Sequence, residues 1–130
     1  MQAINITTRE IFAYLATVPG LPTIYYVDST ATPTDDHLRA FILPADSFSD
    51  GLGFNDSSQQ SGIITINIFV RAAGGANIKN GDYSEILFQA FRRGTQLSAI
   101  KFNYIPQISN AVADNGFLMA SFSAKYTILA

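Results

Sequence analysis

The chain has 130 residues, a length that suits one domain burying about two thirds of its unfolded surface without a metal or disulfide staple. It has no cysteine, which excludes disulfide frameworks, thiolate metal sites and cysteine nucleophiles. Charged residues are only 14% of the chain, against about 25% in an average protein, and the formal charge is -2. Such a surface has little to hold neighbours apart, which favours association, and it offers no net attraction for nucleic acid.

The first element is an amphipathic helix. Thr7-Thr8-Arg9-Glu10 reads as a capping box, with Ile6 and Ile11 as its hydrophobic staple. Ile11, Leu15 and Val18 recur at helical spacing until Pro19-Gly20 stops the run. Thr23-Ile24-Tyr25-Tyr26-Val27 is β-branched and aromatic, as a short strand requires. The stretch 28–36 is polar and turn-rich, and 38–43 reads as a second strand ended by Pro44. His37, beside Asp35 and Asp36, reads as a solvated turn residue, since an acid-base pair needs a third group held in a pocket.

Residues 46–61 are rich in Ser, Asp, Gly, Asn and Gln, with three isolated large apolar residues, Phe48, Leu52 and Phe54. Unstructured connections longer than about 12 residues are uncommon in compact domains and are often functional. A long loop is therefore expected at about 45–61. Asp46, Asp50 and Asp56 within it do not have the spacing of a calcium-binding loop.

The strongest strand is 62–71, with Ile64, Ile66, Ile68 and Val70 on one face and Ile63, Thr65, Asn67, Phe69 and Arg71 on the other. A glycine-rich turn, 72–76, leads to a second helix carrying Tyr83, Ile86, Leu87, Ala90 and Phe91. Asn77, Asn80 and Asp82 are candidate caps for its start, and Gly94 for its end, with Arg92 and Arg93 in its last turn. Ile100, Phe102 and Tyr104 alternate as a fourth strand, 106–116 is a polar connection, and 118–128 alternates as a fifth.

These elements predict a single α+β domain over 1–130 in the order α-β-β-β-α-β-β. Its sheet is mainly antiparallel, of about five strands, with both helices packed on one face. Nothing in the sequence supplies a catalytic or cofactor site. There is one histidine, no Gly-x-Ser-x-Gly elbow, and neither glycine-rich phosphate motif in the 72–76 turn. No metal site or cofactor is expected. No apolar run is long enough to span a bilayer, and the N-terminal residues lack a signal-peptide pattern, so a soluble protein made in the cytoplasm is expected.

The succession of features is itself informative. A helix and two strands lead to a long loop. Gln59-Gln60 then opens Ser61-Gly62-Ile63-Ile64-Thr65-Ile66-Asn67-Ile68-Phe69, and a Gly-Gly turn, a helix ending Phe91-Arg92-Arg93-Gly94 and two strands follow. This order and length resembles the tail terminator, or tail completion, proteins of long-tailed bacteriophages, of the lambda type. The resemblance implies a structural, non-enzymatic virion protein that forms a ring, typically of six copies. Such a ring caps the tail tube, stops its growth and joins the tail to the head-side connector or stopper protein. DNA passes through without being read, and no membrane is involved. The implied location is the neck end of the tail in the virion, and the host cytoplasm during assembly.

A closed ring needs two different patches of the protomer to meet. The expected assembly contacts are the loop residues Phe48, Leu52 and Phe54, reaching a neighbouring subunit or the tube. Arg39, Arg71 and Lys101, on the wetter faces of their strands, either make ion pairs between subunits or are simply solvated. Two other readings stand beside this one: another neck or tail-tube subunit, and a small ligand-binding or enzymatic domain.

Overall fold

The computed structural model describes residues 2–26, 33–44, 48–49, 58–72, 74–97 and 100–128. The spine of the fold is one long strand, β4 (Ser58–Arg71), paired antiparallel along both edges. On one side lies β2 (His37–Pro44), and beyond it β1 (Thr23–Tyr26), which runs parallel to β2. On the other side lies β9 (Phe117–Ile128). Period-two alternation makes this strand the natural centre, because its isoleucine face needs partners on both sides to be fully enclosed.

The register puts the apolar positions of all three strands on one face. Across the sheet the inner rows are Leu38–Ile68–Ala120, Ala40–Ile66–Phe122 and Ile42–Ile64–Ala124. Ile64, Ile66 and Ile68 are fully buried; each contributes roughly 1.5–3 kcal/mol of apolar burial. In the next row Gly62 faces Tyr126, and the tyrosine ring lies over the glycine backbone.

Two helices cover this face, as the sequence predicts. α1 (Gln2–Ala16) contributes Ile11 and Leu15, and α2 (Ala76–Ala90) contributes Leu87, with Phe91 just past its end. The Tyr14 hydroxyl donates to the Ala90 carbonyl at 2.6 Å, tying one helix to the other. Phe12 packs on Tyr26 with ring centres 4.4 Å apart, tying α1 to β1. No helix among the described residues is long and apolar enough to cross a membrane.

Several local expectations change. α1 does not begin at Thr7 but runs through it from Gln2. The capping-box pattern is a local signal, and no Gly or Pro precedes it to break the helix. α2 starts after Gly75, whose φ of 85° only glycine adopts without strain, rather than at Asn77, Asn80 or Asp82. Asn80 instead faces the sheet. Its side-chain amide donates to the carbonyls of Leu118 (3.1 Å) and Ile68 (3.4 Å). The helix ends at Ala90, so Gly94, Arg92 and Arg93 lie beyond it. Gly94 donates its amide to the Phe102 carbonyl at 2.8 Å rather than closing the helix.

The sheet has nine strands among the described residues, not about five. β3 (Phe48–Ser49) pairs with Gln59 and Ser58 of β4, a short antiparallel ladder within the expected loop at 45–61, whose residues 45–47 and 50–57 lie outside the described ones. Past α2, β5 (Gln96–Leu97) and β6 (Ile100–Lys101) form a small hairpin. The fourth strand is two residues long; just past it Phe102 exchanges backbone hydrogen bonds with Gly94 and Thr95 and packs its ring against Phe91 and Tyr126. The predicted connection 106–116 contains β7 (Gln107–Ile108) and β8 (Val112–Asp114). β6, β7 and β8 pair in succession along the outer edge of β9. Asn115 and Gly116, with φ of 49° and 82°, close the β8–β9 hairpin, as a two-residue turn of mirror-image type requires.

Candidate assembly surface

The helices leave the second face of the sheet uncovered among the described residues. Its rows are His37–Phe69–Met119, Arg39–Asn67–Ser121, Phe41–Thr65–Ser123 and Leu43–Ile63–Lys125. Apart from His37 these positions are half-buried or exposed, as the mixed side of an alternating strand should be.

One end of this face is aromatic. His37 is not a solvated turn residue: it opens β2 and is only 4% exposed. Its ring stacks on Phe69 (4.6 Å, 5° between planes) and meets the edges of Phe117 and Tyr25. Nδ1 donates to the Asp35 backbone carbonyl at 2.8 Å, so the side chain serves packing rather than a carboxylate partner. Nothing in the sequence around a lone histidine marks this, because the stacking partners come from β4 and β9.

Beside the cluster is a charged corner. Arg71 lies 3.8 Å from Asp35, and Lys79 lies 3.8 Å from Asp36. Asp36 also accepts the Arg71 amide at 2.9 Å and the Tyr83 hydroxyl at 3.4 Å. Burial, with the Asp36 carboxylate next, holds the Tyr83 phenol above its ordinary pKa. Asp35, Asp36, Arg71 and Lys79 line an open depression of about 460 Å³. Both carboxylates face a cation; the Arg71–Asp35 pair is exposed on both sides and contributes only about 0–1 kcal/mol.

The other end is apolar and basic. Leu43 is 52% exposed, Tyr104 47% and Ile105 68%. Ile63, Tyr104, Ile105 and Lys125 share a shallow pocket of about 190 Å³. The Lys125 ammonium sits 4.7 Å from the centre of the Tyr104 ring; Arg39, opposite Asn67, lies towards the aromatic end, its guanidinium 5.7 Å from the centre of the Tyr25 ring. Lys101, opposite Thr127, is on the same side.

The structure thus gathers Arg39, Arg71 and Lys101, which are scattered in sequence, onto one sheet face and adds Lys125. Arg71 is separated from the others by its contact with Asp35. Phe48 lies in β3; Leu52 and Phe54 lie outside the described residues. The residues that sequence reasoning missed are Leu43, Ile63, Tyr104 and Ile105. The polar-face position of Ile63 in an otherwise alternating strand is the one signal that marks this patch beforehand.

Among the described residues there is no group of His, Asp or Glu able to hold a metal. The helix layer carries a mainly apolar groove of about 500 Å³ between Tyr14, Val18, Ile86 and Ala90, lined also by Thr17, Glu85 and Gln89.

Comparison with known proteins agrees with this picture. No curated protein matches the sequence. A solved structure whose given name carries no functional description superposes with a TM-score of 0.73 at 17% identity, covering 100% of this chain and 96% of its own, a likeness of fold. The family model described as phage tail terminator protein matches residues 6–126. That match spans nearly the whole domain, so the chain belongs to the phage tail terminator family, whose members are structural, non-catalytic virion proteins of bacteriophages.

Proposed function

We propose that this chain acts as a ring of identical subunits, typically six, that caps the tail tube, stops its growth and joins the tail to the head-side connector. Family membership supports contacts with tube and connector proteins in general. The observation that carries the reading further is the uncovered sheet face. It presents exposed Leu43, Tyr104 and Ile105 with basic residues around them, on a domain that already has a complete core on its other side. A contiguous apolar patch rimmed by polar groups is what a subunit interface looks like before assembly. A head-to-tail arrangement joins this face to a different patch of the next copy, which lets the ring close. DNA passes through the ring without sequence-specific contacts. The protein sits at the neck end of the tail.

The test is electron microscopy of particles assembled without this protein. Tubes of uncontrolled length lacking heads are expected, and tails of normal length joined to heads would overturn the proposal. Copy number separates it from a tube subunit: one ring per tail is expected, not a repeating stack.

A further inference from the structure

We infer that the groove between α1 and α2 of one copy receives the exposed Tyr104–Ile105 pair on the sheet face of the next. This rests on the ring reading and names the two patches that meet. The groove suits an apolar occupant. Its hydroxyls are already hydrogen-bonded within the copy: Tyr14 donates to the Ala90 carbonyl and Thr17 to the Tyr14 carbonyl, both at 2.6 Å. What a partner meets is half-buried Val18 and Ile86, exposed Pro19, and a rim of Glu85 and Gln89. An apolar side chain can enter without leaving those hydroxyls unpaired. Among the described residues Glu85 is the one charged group lining the groove. It accepts from the Gln89 amide at 3.4 Å and takes part in neither ion pair, Arg71–Asp35 or Lys79–Asp36.

The sheet face offers the counterpart. Among the described residues, four of the six exposed large apolar side chains, Tyr104, Ile105, Ile108 and Val112, fall within 104–112, a stretch with no charged residue. Tyr104 and Ile105 stand beside Ile63, Ser123 and Lys125, on the side of the sheet away from the helices. Lys125, over the Tyr104 ring, is the one charged group lining that pocket. An apolar knob beside a single cation thus matches an apolar groove with a single carboxylate at its rim.

Two features make this a head-to-tail contact between copies. Within one copy the sheet stands between the groove, on its helix side, and Tyr104–Ile105, on its open side. A two-fold contact of either patch with itself would set Lys125 against Lys125 or Glu85 against Glu85, and such like-charge meetings cost affinity. Joining knob to groove brings opposite signs together instead. A contact between opposite sides of the protomer, repeated in one direction, is the heterologous kind that closes rings.

The experiment uses the intact chain, whose lack of cysteine makes single-cysteine probes unambiguous. A Gln89→Cys variant is mixed with a tagged Ile105→Cys variant and oxidised. A disulfide between the two variants is expected, and none from either alone. In parallel, Lys125→Glu and Glu85→Lys each weaken self-association by about fivefold or more, and the chain carrying both recovers it. Lys125 and Glu85 are exposed, so an unchanged melting temperature shows that these variants fold. If either reversal lowers it, the cysteine pair, at exposed positions, decides alone. Rings that form without the disulfide, or whose folded variants ignore both reversals, overturn this pairing and leave the ring reading standing. So does a disulfide formed by Ile105→Cys alone or within one copy of the double-cysteine variant, or a Gln89→Cys thiol shielded from alkylation only by the tube protein. A chain that stays monomeric with tubes present sinks both this inference and the ring.

Discussion

Tyr126 lies across Gly62, its buried phenol occupying the space where any side chain at position 62 would stand. The two face each other on adjacent central strands, so the glycine's missing Cβ and the tyrosine's bulk are one packing unit. Aromatic cover over a strand glycine restores the packing that the glycine forfeits.

Gly62→Ala is expected to destabilise the domain by about 1–3 kcal/mol, because the new methyl overpacks a filled core. Gly62→Val should cost more, despite the better strand propensity of valine. Urea unfolding of both variants checks the order. Equal or greater stability of Gly62→Val would show that the ring can move away at no cost.

Burial pushes the Tyr126 phenol up to about 12 from its ordinary value of 10.0. The sign follows from proton binding. Between pH 10 and 12 the unfolded chain has lost this proton and the folded chain keeps it. Stability is therefore fully present below pH 10 and falls as pH rises towards 12, by up to roughly 2–3 kcal/mol. Unfolding midpoints measured across that range should drop, and Tyr126→Phe should remove this part of the drop.

Asn80→Leu is expected to cost about 1–3 kcal/mol although it adds apolar volume to a buried helix face. The amide it removes satisfies the carbonyls of Ile68 and Leu118. Asn80→Asp should cost at least as much, since a carboxylate is aimed at two acceptors. Thermal melts of the pair settle the direction.

Replacing residues 50–57 by Asn-Gly should leave the monomer folded, with stability changed by less than about 1 kcal/mol. Ser49 and Ser58 are already paired, and a two-residue mirror-image turn closes such a ladder. Capping of tail tubes should be lost. Normal capping by the shortened chain would show that this loop has no part in assembly.

The large elements were legible because their signals are local and periodic. Ile64, Ile66, Ile68 and Val70 announce a strand with one enclosed face, and Leu87 and Phe91 announce a helix that must dock. What escaped was set by partners distant in sequence. Asn80 looks like a cap but is a buried donor, because the strand carbonyls it meets are 12 and 38 residues away. His37 looks like a surface turn residue until Phe69 and Phe117 enclose it. β7 and β8 are too short for alternation to reveal. Asn115-Gly116, the strongest short hairpin signal in this part of the chain, was nevertheless there to be read. On the candidate surface, no sequence spacing predicts that Arg39, Lys101 and Lys125 share a face, since that depends on the register of β2, β6 and β9.

The stepped border made by β6, β7 and β8 has a consequence for growth. A long flat strand there would invite another molecule's strand, and that one a third, without end. Pieces of two or three residues, interrupted at Pro106, give such a fibre no template. For a subunit proposed to end a polymer, resistance to becoming one is built into the same border that lines the outer edge of β9.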